Sequence, residues 1–185
     1  MRLEGGGPFN LGPGQVTDDS EMSMCLMWAI IESNRDKSEN EERELNTDII
    51  AKWYKNWLES NPFDIANSTY STLTPLLKNP YAQAAKHLAA KHNINSLSNA
   101  SLMKLAPLAV WTSSLSSVEE LKTAVVADVE FTHSNKLVQL ICYVYCASIN
   151  LLLNNPLDPD RATQAYEIAI QLTESELTLS DNNDS

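Results

Sequence analysis

Apolar residues in this chain return at intervals of three and four, and nowhere do they alternate over a useful length. That period admits helices and excludes a sheet. Met22, Cys25, Leu26 and Ala29 fall at i, i+3, i+4 and i+7, Leu45, Ile49, Trp53 and Trp57 recur every four residues, and Ala162, Ala165, Ile168, Ala169 and Leu172 share one face. The expected fold is all-α, a compact multi-helix bundle. Its helices are expected to start at Thr17 to Asp19, then to run near 45–58, 69–78, 81–91, 117–128, 134–153 and 160–174. Asp18 with Glu21 three residues later reads as a variant capping box. Asn61 and Pro62 stop the second helix, because the proline ring cannot continue the backbone bonding. Pro107 either kinks a helix or begins one.

All 5 glycines lie in the stretch GGGPFNLGPG, Gly5 to Gly14. It is read as a loop, and the other loops must be built from Asn, Ser and Pro. Residues 34–46 form a charged connector, read as a solvated loop or a helix start, and 93–100 a polar loop. Residues 1–178 are expected to make a single domain and 179–185 a disordered tail.

The chain has 185 residues, of which 43% are hydrophobic, enough for one domain with a sizeable core. Its formal charge of −11 argues against nucleic acid or an anionic membrane as partner. An anionic substrate therefore needs local help from a metal ion or backbone N–H groups. Cys25, Cys142 and Cys146 show no framework spacing, so reduced thiols and a cytoplasmic setting are expected. Cys142 and Cys146 read as two small core residues on one helix face. The N-terminus lacks the apolar region of a signal peptide. The longest apolar run, Leu137 to Leu153, is interrupted by Gln139, Ser148 and Asn150, so no membrane span is expected.

Four places hold groups with chemical potential. Thr17, Asp18 and Asp19 offer a hydroxyl and two carboxylates at a helix start. These are hard oxygen donors of the kind Mg²⁺ takes, and equally a good cap with acidic first-turn residues. Asp64 lies in the polar loop PFDIANST, where it reads as a general base or as a turn-forming side chain. His133 lies between two helices, within reach of a ligand or simply capping or solvated. His87 and His92 lie five apart, off any common helix face, and read as surface residues. Ser98 to Lys104 lead from a polar loop into an apolar segment and offer backbone N–H groups to a phosphate, though without glycine.

These segments carry a resemblance. GGGPFNLGPGQVTDDSEMSMCL is similar to the GGGPF-x-L-x-PGQ-x-TDDT-x-M segment of ADP-ribosylglycohydrolases. WYKNWLESNPFDIANSTYSTL resembles the family's Trp-rich helix followed by P-x-DIGxTT. SNASLMKLAPLAVW resembles GNGSLMRxAPLA. ADVEFTHSN resembles the family's acidic residue shortly before a Thr-His pair and a long apolar helix. All four occur in the family's order.

The resemblance implies an incomplete all-α domain of that type, from an enzyme that hydrolyses the bond between ADP-ribose and a modified protein side chain or related conjugate. It implies Mg²⁺ or Mn²⁺, dinuclear in the full-length family, with Thr17, Asp18 and Asp19 as the first half of the metal site. Asp64 matches the residue that activates or orients the attacking water. Asn67 and His133 match positions that contact ADP-ribose, and Asn99, Ala100, Ser101, Leu102 and Met103 match the loop that cradles the diphosphate. The family's glycines are here Ala66, Ser98 and Ala100, and its arginine is Lys104. The resemblance also places two family segments outside this sequence: a GDAxG-like helix before the GGGP loop, and a D-x-D-T/S segment well beyond the Thr-His pair. Asp158, Pro159 and Asp160 do not replace the latter, since Arg161 follows and no glycines flank them. The alternative is an inactive ADP-ribose-binding or structural relative. With those segments absent, apolar faces are expected to be exposed and the isolated chain to aggregate or be partly molten.

Overall fold

The computed structural model describes residues 4–38, 41–115 and 117–183, with no side-chain description beyond residue 178. Eight α-helices and two 3₁₀ segments make up the described chain, and its one β-bridge joins Gly6 to Leu11. The helices are α1 (Asp18–Asn34), α2 (Thr47–Glu59), α3 (Asn67–Leu73), α4 (Ala82–His92), α5 (Ala106–Thr112), α6 (Val118–Val129), α7 (Lys136–Asn154) and α8 (Arg161–Asn183). The 3₁₀ segments are Thr74–Leu77, which Pro75 opens, and Asn99–Lys104.

The glycine loop folds into a tight hairpin. The Gly6 and Leu11 N–H groups each donate to the other's carbonyl at 2.8 Å. A Cβ on Gly5 would sit 2.2 Å from the Leu11 carbonyl oxygen, and Gly6 has φ +129°, so neither position admits a side chain without strain. The hairpin delivers the chain to Thr17, the extended residue at the start of α1.

α1 and α2 form the centre of one half of the molecule. Met22, Leu26 and Ala29 of α1 meet Ile50, Ala51 and Tyr54 of α2, all fully buried. The buried stripe of α2 is therefore rotated from the expected Leu45, Ile49, Trp53, Trp57 row. Leu45, Ile49 and Trp53 lie only partly buried at its edge. The tryptophans explain the offset, because an indole N–H needs an acceptor. Trp53 donates to Glu32 at 2.8 Å and Trp57 to Glu21 at 2.7 Å. The second of these bonds also takes Glu21 away from the capping box expected with Asp18, and Asp18 lies inside the first turn, the cap being Thr17, which makes no side-chain cap bond. A capping box forms instead at α6, between Ser117 and Glu120.

α2 stops where expected. Asn61 enters the left-handed region at φ 57° immediately before Pro62. α5 begins at Ala106 with Pro107 in its first turn, where a missing N–H is harmless. The expected helix near 69–78 divides into α3 and the 3₁₀ turn. α8 continues through Asn183, so residues 179–183 are helical where a disordered tail was expected. Residues 184–185 of that tail lie outside the described residues.

α7 packs with α5, α6 and α8 and contributes Val138, Cys142, Tyr143 and Cys146 to the interior. It is 19 residues long with mean hydropathy 1.6, so by length and composition alone it is apolar enough to cross a membrane. The sequence expectation that no run reaches that threshold is corrected here. Cys142 and Cys146 are buried free thiols, as expected of core residues. Burial pushes the Cys142 thiol up to about 12 and that of Cys146 further.

Candidate functional site

The four chemistry-bearing segments are far apart in sequence, yet two sets of hydrogen bonds, meeting through the chain at residues 66–68, connect them. The first starts at Asp18, in the first turn of α1. Its Oδ1 accepts the Asp19 N–H at 3.1 Å, and its Oδ2 accepts the Ala66 N–H at 3.3 Å, from the residue that starts α3. Thr17 Oγ1 donates to Asp19 Oδ2 at 3.2 Å. Asp18 is buried while Asp19 is exposed. Burial raises the Asp18 carboxyl above its ordinary value, and the nearby Asp64 and Asp19 charges push it further the same way. Asp64 of the α2–α3 loop has thus been brought into the electrostatic field of α1's start.

Ala66 stands at a family glycine position without strain, with φ −60° and ψ 139°. Ser98, at another such position, has φ −66° and ψ 152°. Ala100 is absent from the left-handed region too. None of the three positions therefore needs a glycine for its backbone conformation.

The second set leads from α3 to the second 3₁₀ segment. Ser68 Oγ lies 3.3 Å from Ser98 Oγ, which lies 2.7 Å from His133 Nε2. The other ring nitrogen of His133 sits 2.7 Å from Ser101 Oγ, itself 2.9 Å from Thr132 Oγ1. Asn93 clamps the same corner, donating to the carbonyls of Ser68 (3.0 Å) and Thr132 (2.9 Å). His133 is fully buried. Burial, helped by the Lys104 charge, lowers it to about 4, so its imidazole is neutral near pH 7.

From the sequence His133 lies between two helices, within reach of a ligand or simply capping or solvated. Both of its ring nitrogens are instead occupied by serines, and it holds the Ser98–Ser101 backbone in place. The expected phosphate cradle, Asn99 to Met103, is a 3₁₀ segment rather than an open loop. Ala100 and Ser101 are buried, Leu102 and Met103 pack partly against the core, and Asn99 is exposed. Asn67, in the first turn of α3, is exposed as well. His87 and His92 are surface residues, as expected.

Beneath this corner lies a polar group that the sequence reading missed. Lys104 ends the 3₁₀ segment and forms a salt bridge with Asp128 of α6, both side chains being fully buried. Asp128 Oδ1 also accepts the Tyr54 hydroxyl at 2.7 Å, and the Lys104 ammonium stands 5.3 Å from the centre of the Tyr54 ring. Three elements are thereby tied under the candidate site. The available signal was Asp128 itself, a carboxylate in the row Leu121, Ala124, Val125, Asp128 that α6 buries.

Thr17, Asp18, Asp19 and Asp64 fit a hard divalent cation in the kind of donor they offer. Oxygen is the only donor atom, and the Asp64 and Asp19 charges add to burial in raising the Asp18 carboxyl. In number they fall short: among the described residues no three His, Cys, Asp or Glu side chains converge closely enough to hold an ion by themselves. None of these residues lines the cavity of about 230 Å³ between α5, α6, α7 and α8, which is walled by Thr112, Tyr143, Asn150 and Leu172 among others.

Comparison with known proteins bears on what this arrangement is. The family model described as ADP-ribosylglycohydrolase matches residues 1–182. A protein named as an ADP-ribosyl glycohydrolase in Acanthamoeba polyphaga mimivirus is 31% identical over 176 residues, covering 93% of this chain and 48% of its own length. An ADP-ribosylarginine hydrolase of Serratia proteamaculans is 35% identical over 79 residues, 41% of this chain and 20% of that protein. The ADP-ribosyl-[dinitrogen reductase] glycohydrolase of Rhodospirillum rubrum is 26% identical over 141 residues, 76% of this chain and 42% of the relative. The chain thus spans about half the length of the mimivirus relative. The family match over residues 1–182 and the all-α architecture lead to one conclusion: this chain belongs to the ADP-ribosylglycohydrolase family.

Proposed function

We propose that this chain forms the ADP-ribose-facing part of a metal-dependent hydrolase that releases ADP-ribose from modified protein side chains. The observation that supports the reading is a pair of links through the 66–68 segment: the Ala66 N–H donates to Asp18, and Ser68 meets Ser98, which in turn meets His133. The relatives named for ADP-ribosylarginine and for ADP-ribosylated dinitrogen reductase support an ADP-ribosylated protein as substrate.

In this reading Asn67 and Asn99, both exposed, contact the ADP-ribose, and the Asn99–Met103 backbone faces the diphosphate. His133 keeps that backbone in register through Ser98 and Ser101. Asp64 orients or deprotonates the water that attacks the anomeric carbon. The new carbon–oxygen bond forms as the bond to the acceptor side chain breaks, and the proton passes to the departing group. Thr17, Asp18 and Asp19 hold Mg²⁺ or Mn²⁺, with water or further polypeptide completing the shell. When bound, such an ion supplies Lewis-acid polarisation of the oxygens it touches. The chain's own part is to fix those carboxylates: the Ala66 and Asp19 N–H groups orient Asp18.

A second reading, binding of ADP-ribose without turnover, is favoured by the incomplete convergence of metal-ligand side chains among the described residues. One assay separates the two. Mg²⁺-dependent release of ADP-ribose from an ADP-ribosylated arginine substrate, abolished in Asp18→Asn and Asp19→Asn, supports the hydrolase. No release at any Mg²⁺ concentration rules out hydrolysis by this chain alone.

A further inference from the structure

One face of α7 is not filled by its neighbours. Tyr143, Ala147 and Asn150 fall at i, i+4 and i+7, a single row along the helix. Opposite the row stand Ile168 and Leu172 of α8, one turn apart, and Leu121 of α6. Ala147 is the small residue in the middle, and a hollow of about 230 Å³ remains between these side chains. Protein interiors are packed so closely that voids larger than a water molecule are few.

Two properties set the chemistry of the hollow. The first is the absence of charge. Although 20% of the chain is charged, no charged side chain lines this cavity. Lys122 stands 5.9 Å from the centre of the Tyr143 ring, but its ammonium is paired with Glu176. The second property is an unused hydroxyl. Tyr143 is only 2% exposed, yet among the described residues its hydroxyl has no hydrogen-bond partner. A buried phenolic hydroxyl ordinarily finds one. Burial, with the Glu176 and Glu119 charges, raises its pKa, so the hydroxyl keeps its proton and is a donor. At the other end of the row the Asn150 amide meets only the Thr112 hydroxyl, at 3.3 and 3.4 Å.

We infer that this cavity is a binding site for a small uncharged ring compound carrying a hydrogen-bond acceptor. The ring lies over Ala147, between Leu121, Ile168 and Leu172, and the acceptor takes the Tyr143 proton. The size is right for this: an apolar cavity of roughly 150 Å³ holds benzene, so this one holds a ring with a short polar substituent. An anion is a poor occupant, because nothing in the wall compensates a buried charge. A helix of another polypeptide, about 10 Å across, is too large. Val118, at the start of α6, lines the cavity and is exposed, so the hollow reaches solvent there. Neither Asp18 nor His133 takes part, so the inference stands or fails apart from the hydrolase reading.

The test is calorimetric titration of three ring compounds into the chain. Acetophenone has a carbonyl acceptor, toluene has none, and benzoate is charged. Acetophenone is expected to bind one to one with a dissociation constant of about 1 mM or tighter, toluene several-fold more weakly, and benzoate not at all. Tyr143→Phe removes one oxygen and leaves the ring. It is expected to weaken acetophenone by about five- to ten-fold and to leave toluene unchanged. Ala147→Phe fills the hollow and is expected to abolish binding of both. If that variant does not fold, the comparison of wild type with Tyr143→Phe decides by itself. No saturable binding of acetophenone up to about 10 mM overturns the inference. Equal affinity for acetophenone in wild type and Tyr143→Phe overturns it too, as does benzoate binding as tightly as acetophenone.

Discussion

Two buried aspartates in this protein have opposite surroundings. Asp128 is enclosed in the core with a cation and a hydroxyl donor, Lys104 and Tyr54, both on its carboxylate. Asp18 is buried at the edge of the site with two backbone N–H donors, and the charges nearest it are the carboxylates of Asp19 and Asp64. The first is electrostatically closed and does structural work. The second is left under negative charge, which raises its affinity for protons and for metal cations alike. The difference separates scaffold from site more sharply than burial does, because both residues are buried.

The largest expected effect is at the closed aspartate. Asp128→Ala leaves the Lys104 ammonium uncompensated in the core and the Tyr54 hydroxyl without its acceptor. A loss of about 3–5 kcal/mol is expected in urea unfolding, enough to remove most of a small domain's stability. The double variant Lys104→Met with Asp128→Leu should recover most of that loss, since well-packed apolar residues replace a buried ion pair at little cost. A double variant as unstable as Asp128→Ala would show that the pair holds the fold in some further way.

Next comes the pH dependence carried by His133. Its folded value of about 4 lies below the ordinary 6.5, so between these two pH values the unfolded chain binds the proton and the folded chain does not. Stability is therefore fully retained above about pH 6.5 and falls as pH drops toward 4, by about 2–3 kcal/mol in all. Unfolding measured at pH 7 and pH 4.5 in wild type and His133→Asn should show a flatter dependence in the variant. Equal slopes would mean that His133 titrates normally in the fold.

The smallest effect concerns the open aspartate. Because its carboxyl is raised in the fold, ionised Asp18 costs stability as pH rises above 3.8, the reverse of the usual aspartate. Asp18→Asn should thus melt slightly higher than wild type in metal-free buffer, by about 1 kcal/mol or less. Added Mg²⁺ or Mn²⁺ should raise the wild-type melting temperature and leave that of the variant unchanged. A variant that melts lower without metal would place Asp18 with Asp128 as a structural residue.

The helical period made the all-α class and most helix positions legible, since each stripe reports the side on which a helix meets its neighbours. The period could not show which of two apolar rows goes inward. On α2 the row Ile50, Tyr54, Trp57, Leu58 is buried because Trp53 must reach Glu32 at the edge. The Gly5–Gly14 loop and the acidic start of α1 were visible because their residue types have few other uses. The exposure of Asn67 and Asn99 is compatible with the roles expected of them. His133 lies between two helices as its sequence suggests, but its burial was not legible: the bonds to Ser98 and Ser101 that enclose it arise from residues 35 and 32 positions away. The Tyr54–Asp128–Lys104 group was missed for the same reason, as its members lie in three different segments and only the fold joins them.

The central claim, that the negative corner at Asp18 is where a cation and ADP-ribose meet this chain, is tested most directly by calorimetric titration of ADP-ribose with and without Mg²⁺. Binding is expected to tighten when Mg²⁺ is present, to weaken in Asn99→Ala, and to lose its Mg²⁺ dependence in Asp18→Asn. Binding of the same strength in all three proteins, with or without the metal, would contradict it.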